Sequence, residues 1–373
     1  MKYYIIAGEA SGDLHGANLI AALKAEDTNA EFRFWGGDLM AQEAGDPIKH
    51  YRELAFMGFV EVLQNLRTIL RNISFCKDDI EGYQPDAIIF IDYPGFNLRI
   101  AKWAKQRGYK TLYYISPQIW AWKEGRIKAI KRDVDEMYVI LPFEKDFYEK
   151  KHNFPVHFVG HPLIDAISKR QQVDSETFRK EHHLDDRPII ALLPGSRKQE
   201  ISKMLKVMLS VTEDFPDYQF VIAGAPSQEI EFYKQFTQDS DATFIQNKTY
   251  DLLSLSTAAL VTSGTATLET GLYKVPQVVC YKGNRISYEI AKRIIKLKYI
   301  SLVNLILDKP AVKELIQGEF NTKQLKEELS KILDDYHRAV LFLDYYDLEN
   351  ALGGKGASKK AAALMVNAST KGN

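Results

Sequence analysis

The stretch Tyr3-Tyr4-Ile5-Ile6-Ala7-Gly8-Glu9-Ala10-Ser11-Gly12-Asp13-Leu14-His15-Gly16 decides the fold class. Its apolar opening reads as a buried strand. Gly8 breaks that run too early for a signal-peptide core, and a glycine-rich turn leads into a helix. The same alternation of short apolar runs with longer amphipathic segments recurs along the chain, which is the pattern of βα units on a parallel sheet. Strands are expected near Tyr3–Ala7, Glu31–Trp35, Asp86–Asp92, Lys110–Ile115, Glu136–Ile140 and His157–Gly160, then near Ile189–Leu193, Gln219–Ala223, Thr243–Gln246, Ala258–Thr262 and Gln277–Tyr281. Between the two groups, the polar helix-like stretch Asp165–Leu184 reads as a linker.

The expected fold is therefore α/β, with two Rossmann-like doubly wound domains facing a cleft and a helical C-terminal region. The expected boundaries are 1–165, 166–335 and 336–373. A length of 373 residues agrees with this at roughly 100–200 residues per domain. Lys+Arg and Asp+Glu both number 49, so no net charge argues for nucleic acid. Two cysteines, Cys76 and Cys280, are too few for a zinc set or a disulfide scaffold, and a reducing cytoplasm is the default. No run reaches the roughly 20 apolar residues of a membrane-spanning helix.

Four turns carry candidate chemistry. The first, Gly8–Gly16, matches neither G-x-G-x-x-G nor a P-loop. Ser11 or Asp13 can cap the helix, and Glu9, Ser11, Gly12, Asp13 and His15 lie where open α/β sheets present ligand-binding groups. Asp92 ends a strand, and Tyr93-Pro94-Gly95-Phe96-Asn97 then turns the chain out of the sheet. A carboxylate there can take a proton from a sugar hydroxyl, or can simply cap the next helix; Asn97 joins the candidate substrate contacts. Leu193-Pro194-Gly195-Ser196-Arg197-Lys198-Gln199-Glu200 opens a helix, with backbone N–H groups and Arg197 suited to phosphate and with Gly195, Ser196 and Glu200 beside them. Thr262-Ser263-Gly264-Thr265-Ala266-Thr267-Leu268-Glu269 repeats the pattern, and its spacing puts Thr265 and Glu269 on one helix face, suiting diphosphate above and ribose below.

Two stretches suggest a lipid surface. Phe56, Met57, Phe59, Val60, Val62, Leu63 and Leu66 are too many apolar groups for one narrow helix stripe. Arg285–Lys298 interleaves basic and apolar residues in the manner of an interfacial helix. Trp120-Ala121-Trp122-Lys123 and the basic run after it read as a packed loop and a solvated face rather than a base-stacking site.

These motifs, together with Ser116-Pro117-Gln118-Ile119-Trp120-Ala121-Trp122, Leu141-Pro142-Phe143-Glu144, Val159-Gly160-His161-Pro162 and Ser301-Leu302-Val303-Asn304-Leu305, run in one order, and the chain resembles the lipid-A-disaccharide synthases. The resemblance implies an inverting glycosyltransferase that joins UDP-2,3-diacylglucosamine to 2,3-diacylglucosamine 1-phosphate through a β-1,6 linkage and releases UDP. It implies no metal and no cofactor, a peripheral place on the cytoplasmic face of the inner membrane, and dimers that exchange C-terminal segments. It carries the essential aspartate onto Asp92, the phosphate-handling arginine onto Arg197, a required asparagine onto Asn304, and membrane contact onto the Phe56–Leu70 region. Glu9 is the alternative base. A UDP-sugar 2-epimerase and a non-enzymatic nucleotide-sugar binding protein are the rival readings.

Overall fold

The computed structural model describes residues 1–54, 66–225, 228–238, 240–284, 288 and 297–370. The chain divides into two units: residues 1–170 with 352–373, and residues 171–351. These boundaries stand in place of 165/166 and 335/336.

The first unit is built on a parallel sheet in the order β3-β2-β1-β4-β5-β6-β7. Its strands are β1 (Lys2–Ala7), β2 (Glu31–Gly36), β3 (Lys49–His50), β4 (Ala87–Ile91), β5 (Lys110–Tyr114), β6 (Glu136–Val139) and β7 (His157–Phe158). Strands β1 and β4 are apolar throughout and buried apart from Lys2, as a parallel sheet covered on both faces requires. The strand order reverses between β1 and β4, where Ala7 pairs with Ile91. Gly8 and Asp92 therefore leave the sheet side by side at the topological switch point, the place where such sheets bind ligands. Two buried aromatic groups form a bonded chain: Trp35 Nε1 donates to Tyr4 Oη (2.8 Å), which donates to Asp79 (2.7 Å) on helix Leu66–Tyr83.

The second unit repeats the plan in the order β10-β9-β8-β11-β12-β13, again parallel. Its strands are β8 (Ile189–Leu193), β9 (Gln219–Gly224), β10 (Thr243–Gln246), β11 (Ser256–Thr262), β12 (Gln277–Tyr281) and β13 (Lys313–Ile316). Its switch point lies between β8 and β11, where Leu193 pairs with Val261. The short edge strands β3 and β13 carry charged residues in place of an apolar run, so the apolar pattern did not announce them.

The stretch expected as a linker is two helices belonging to different units. Helix Pro162–Ser168 closes the first, and Phe178 of helix Ser175–Glu181 is buried in the second unit's core. The chain then returns. The Leu352 carbonyl accepts from His161 N–H (3.0 Å), Gly353, Gly354 and Gly356 turn with positive φ, and helix Ala357–Thr370 packs against helix Ala10–Glu26. The Asp165 carboxylate accepts from the backbone N–H of Gly356 (2.6 Å) and Ser358 (3.0 Å), holding the start of that last helix. Helix Asp335–Ala351, expected with the tail, belongs to the second unit. Among the described residues no helix is long and apolar enough to cross a membrane.

Candidate active site

The carboxyl edge of the first sheet concentrates backbone strain. Asp92 (φ +43°), Tyr93 (φ +47°) and, at the end of β5, Ile115 (φ +63°) all adopt the left-handed conformation, which costs a non-glycine residue about 1–3 kcal/mol. Surrounding bonds hold the turn. The Asp92 carbonyl accepts from Tyr113 Oη (2.6 Å) and Asn97 Nδ2 (2.8 Å), and Asp92 N–H donates to the Tyr114 carbonyl (3.1 Å). The Tyr93 ring lies so close to Gly8 that a Cβ there would come within 2.4 Å of it, which is why this turn takes glycine.

The result is an aspartate whose backbone is fixed and whose side chain does not cap the following helix: Tyr93 is that helix's N-cap, without a side-chain cap bond. Burial pushes the Asp92 carboxyl up to about 7, with the charges of Glu9 and Glu144 adding to it and the Tyr93 N–H opposing it. A carboxyl that titrates near neutrality can both accept and release a proton. Glu9 is exposed, at the N-cap of helix Ala10–Glu26.

Glu144 is a site neighbour that motif reading did not single out. Its buried carboxylate accepts from Ser116 Oγ (2.5 Å), Trp120 Nε1 (3.2 Å) and the backbone N–H of Ile140 (3.2 Å) and Leu141 (2.9 Å). Burial outweighs these bonds and raises its carboxyl to about 7. A glutamate at the third helical position after Leu141, with Pro142 at the first, is the sequence signal that could have found it. Trp120 is thereby packed, as expected, and the exposed Trp122 ring is covered by Lys123, 4.1 Å from its centroid.

Other expected ligand groups belong to the fold. Glu9 occupies the N-cap position of helix Ala10–Glu26 without a side-chain cap bond, so neither Ser11 nor Asp13 caps it. Asp13 is buried, and its carboxylate accepts from the N–H of Gly37 (2.7 Å), Leu39 (3.1 Å) and Met40 (3.1 Å), so it caps helix Asp38–Ala44 instead of facing substrate. Gly12 lets the first helix approach Ala7, where a Cβ would sit 3.2 Å from the alanine's. Asn97 is fully buried and donates to the carbonyls of Ile91 and Asp92, which makes it a support for the Asp92 turn. His15 is buried edge-on against His161 at 6.3 Å, and burial lowers it to about 4 and His161 to about 3, so both rings are neutral. Ser11 remains exposed.

In the second unit the two glycine turns meet in a cavity of about 520 Å³, lined by Gly195, Arg197, Thr262, Gly264, Thr265 and Glu269 among others. That is the volume of a small-ligand site. Gly195 has φ +102°, and a Cβ on it would strike Glu200 Oε2 at 2.3 Å. That Glu200 carboxylate accepts from Ser196 N–H (3.1 Å) and shapes the loop. Arg197 is exposed at the N-cap of helix Lys198–Leu209. Ser263 Oγ donates to the Ile300 carbonyl (2.9 Å) and the buried Thr267 hydroxyl to the Gly264 carbonyl (2.8 Å), so these two fix the turn, while Gly264 and Thr265 are exposed and Ala266 lines the wall. As the spacing predicted, Thr265 and Glu269 line the cavity together; Glu269, raised by burial, accepts from Tyr250 Oη (2.7 Å). Backbone donors, an arginine and a carboxylate in one cavity can hold a phosphate chain and a hydroxylated ring.

Asn304 does not join that cavity. Its buried amide exchanges bonds of 2.9 Å with Val312 N–H and C=O and donates to Glu314 (2.9 Å), which ties helix Leu302–Leu307 to β13. Phe56, Met57, Phe59, Val60, Val62 and Leu63 lie outside the described residues, as does the side chain of Leu66 and most of Arg285–Lys298. No group of three or more His, Cys, Asp or Glu among the described residues is placed to hold a metal ion.

Comparison with known proteins separates fold from family. Solved structures show the fold: UDP-GlcNAc 2-epimerase from Neisseria meningitidis bound to UDP-GlcNAc superposes with a TM-score of 0.70 over 98% of this chain and 100% of that one, at 15% identity. The Methanocaldococcus jannaschii UDP-GlcNAc 2-epimerase in complex with UDP-GlcNAc and UDP gives 0.65 at 14% identity, over 98% and 100%. Sequence gives the family. The model for lipid-A-disaccharide synthetase matches residues 3–366. Lipid-A-disaccharide synthases of Trichlorobacter lovleyi (37% identical, 98% of this chain and 97% of the relative) and Syntrophus aciditrophicus (38%, 97% and 96%) align almost end to end, and that of Coxiella burnetii is 38% identical over 89% of both chains. With two GT-B-type domains, an acidic strand end and an anion-suited cavity, the chain belongs to the lipid-A-disaccharide synthase family and is a glycosyltransferase of lipid A biosynthesis.

Proposed function

We propose that this enzyme joins UDP-2,3-diacylglucosamine to 2,3-diacylglucosamine 1-phosphate, forming the β-1,6-linked disaccharide 1-phosphate and UDP. The observation that carries the reading is Asp92: a carboxylate held in a strained turn at the first switch point and titrating near 7. In the reaction the acceptor 6-hydroxyl oxygen bonds to the donor's anomeric carbon as the bond from that carbon to the diphosphate breaks. The hydroxyl proton passes to Asp92, with Glu9 as the alternative acceptor. Charge developing on the departing diphosphate is met by Arg197 and the N–H groups of the two glycine turns. Attack opposite the leaving group inverts the anomeric centre.

Membrane contact through the 56–66 segment belongs to the same reading. Helix Leu66–Tyr83 supports it, since Arg67, Leu70 and Arg71 are exposed together at its start, the composition of a surface that lies on anionic lipid. The enzyme then works peripherally, on the cytoplasmic face of the inner membrane. A homodimer exchanging C-terminal segments would form from a partner the contacts that residues 352–370 here make with their own first unit; sedimentation tests it.

The deciding experiment is UDP release in detergent, with the diacylated donor and with or without the diacylated acceptor phosphate. Release that requires the acceptor and yields the disaccharide phosphate is expected. UDP bound but never released under both conditions would overturn the reading in favour of a binding protein, and conversion of the donor without acceptor would favour an epimerase.

A further inference from the structure

From Thr262 to Thr270, around the second glycine turn, the hydroxyls that are not exposed are paired within the protein, with one exception; Thr265 is exposed. Ser263 Oγ donates to Ile300, Thr267 Oγ1 to Gly264 and Thr270 Oγ1 to Ala266. Among the described residues Thr262 Oγ1 has no hydrogen-bond partner, although the residue is only 4% exposed and lines the cavity. A buried hydroxyl left unpaired lowers stability, and valine, with the same shape and a higher strand preference, would fill this last position of β11 without that loss. The fold therefore gives no reason for the hydroxyl.

The cavity does. Thr262 ends β11 at the switch point and immediately precedes the Ser263-Gly264 turn, so it lies at the base of the loop whose helix, Thr265–Leu272, begins beside Arg197's own turn in one cavity. Glu269, on the next turn of that helix, suits hydroxyl groups and repels phosphate. A hydroxyl donor among backbone N–H groups and a guanidinium suits an anion. We propose that Thr262 is a donor-specificity residue whose hydroxyl donates a hydrogen bond to a diphosphate oxygen of the bound nucleotide, an inference that rests on the donor-site reading given above.

The test is titration calorimetry with UDP and ligand-observed NMR with uridine, on the full chain and on Thr262→Val and Thr262→Ser, with the melting temperature of each. The expected result for Thr262→Val is UDP binding weakened roughly tenfold, about 1.4 kcal/mol, uridine binding unchanged, and a melting temperature equal to or above the parent's. Thr262→Ser, which keeps the hydroxyl, should bind UDP within about threefold of the parent. UDP affinity unaltered in Thr262→Val, an equal loss for uridine, or a marked fall in melting temperature would each overturn the assignment. If the parent chain itself bound no UDP, the donor-site reading would fail and this inference with it; if the parent bound UDP and only the variant result disagreed, the inference alone would fail.

Discussion

The two sheets share a topology and differ in what they place at their carboxyl edges. The first ends in carboxylates, Glu9, Asp92 and the buried Glu144, on a backbone where aspartate, tyrosine and isoleucine take left-handed conformations. The second ends its two central strands in glycine turns, with the left-handed position there given to Gly195 and non-glycine left-handed residues confined to the ends of the outer strands β10 and β13, at Asn247 and Gln317, and it holds a cavity lined by an arginine and an unpaired hydroxyl. Burial and neighbouring carboxylates at the first edge raise a proton affinity; glycine turns at the second switch point bring backbone N–H groups and an arginine to one cavity, a setting suited to an anion. One architecture thus supplies two chemistries through the residues that follow its strands.

The contrast is broken most directly at Asp92. Asp92→Asn should lower kcat by about 10²–10⁴ and leave UDP affinity unchanged, measured by turnover and calorimetry; a matching loss of UDP binding would erase the division of labour. The parent's kcat/KM should fall below an apparent pKa near 7, because the base must be ionised. A carboxyl raised by folding contributes stability that is complete below its unfolded value of 3.8 and is lost as pH rises through about 7. Asp92→Asn should therefore melt higher than the parent at pH 8, and a lower melting point would contradict the burial argument.

Arg197→Ala should do the reverse, raising the donor KM by roughly 10–100-fold through a lost charge-assisted contact while the pH profile keeps its position. Steady-state kinetics at two pH values separates the cases. Asn97→Ala should cost about 1–3 kcal/mol of stability and lower kcat with little change in donor KM, since the amide supports the Asp92 turn; urea unfolding alongside kinetics would show both. The smallest effect concerns the neutral histidines. Their depressed values mean that the stability they contribute is present above pH 6.5 and lost as pH falls towards about 4. His15→Asn should flatten the fall in melting temperature over that interval.

Sequence reading reached the sheets because buried parallel strands are continuous apolar runs, and it placed Asp92 and Arg197 at strand-end turns and Thr265 with Glu269 on one helix face because proline, glycine and helical spacing advertise those turns. It assigned Asp13, Asn97 and Asn304 to substrate, and the structure gives each a partner in the backbone. A polar residue at a strand end looks the same in sequence whether it faces a ligand or caps a distant helix: Asp13 meets N–H groups 24 to 27 positions away. Glu144 was missed for the same reason, since Ser116 and Trp120 reach it only through the sheet. Thr262 opens the second turn's motif, where sequence reading gave it no role of its own because a threonine at a strand end passes as one more β-branched residue.

The return of residues 352–370 to the first unit has a consequence for how the protein is made. Residues 171–351 form a continuous block, whereas the first unit needs helix Ala357–Thr370, held by Asp165, to cover helix Ala10–Glu26. During synthesis the inserted block emerges whole while its host still waits for its last helix. The usual N-terminus-first order is inverted, and a chain truncated just before Leu352 would keep the second unit whole beside a first unit whose helix Ala10–Glu26 lies uncovered.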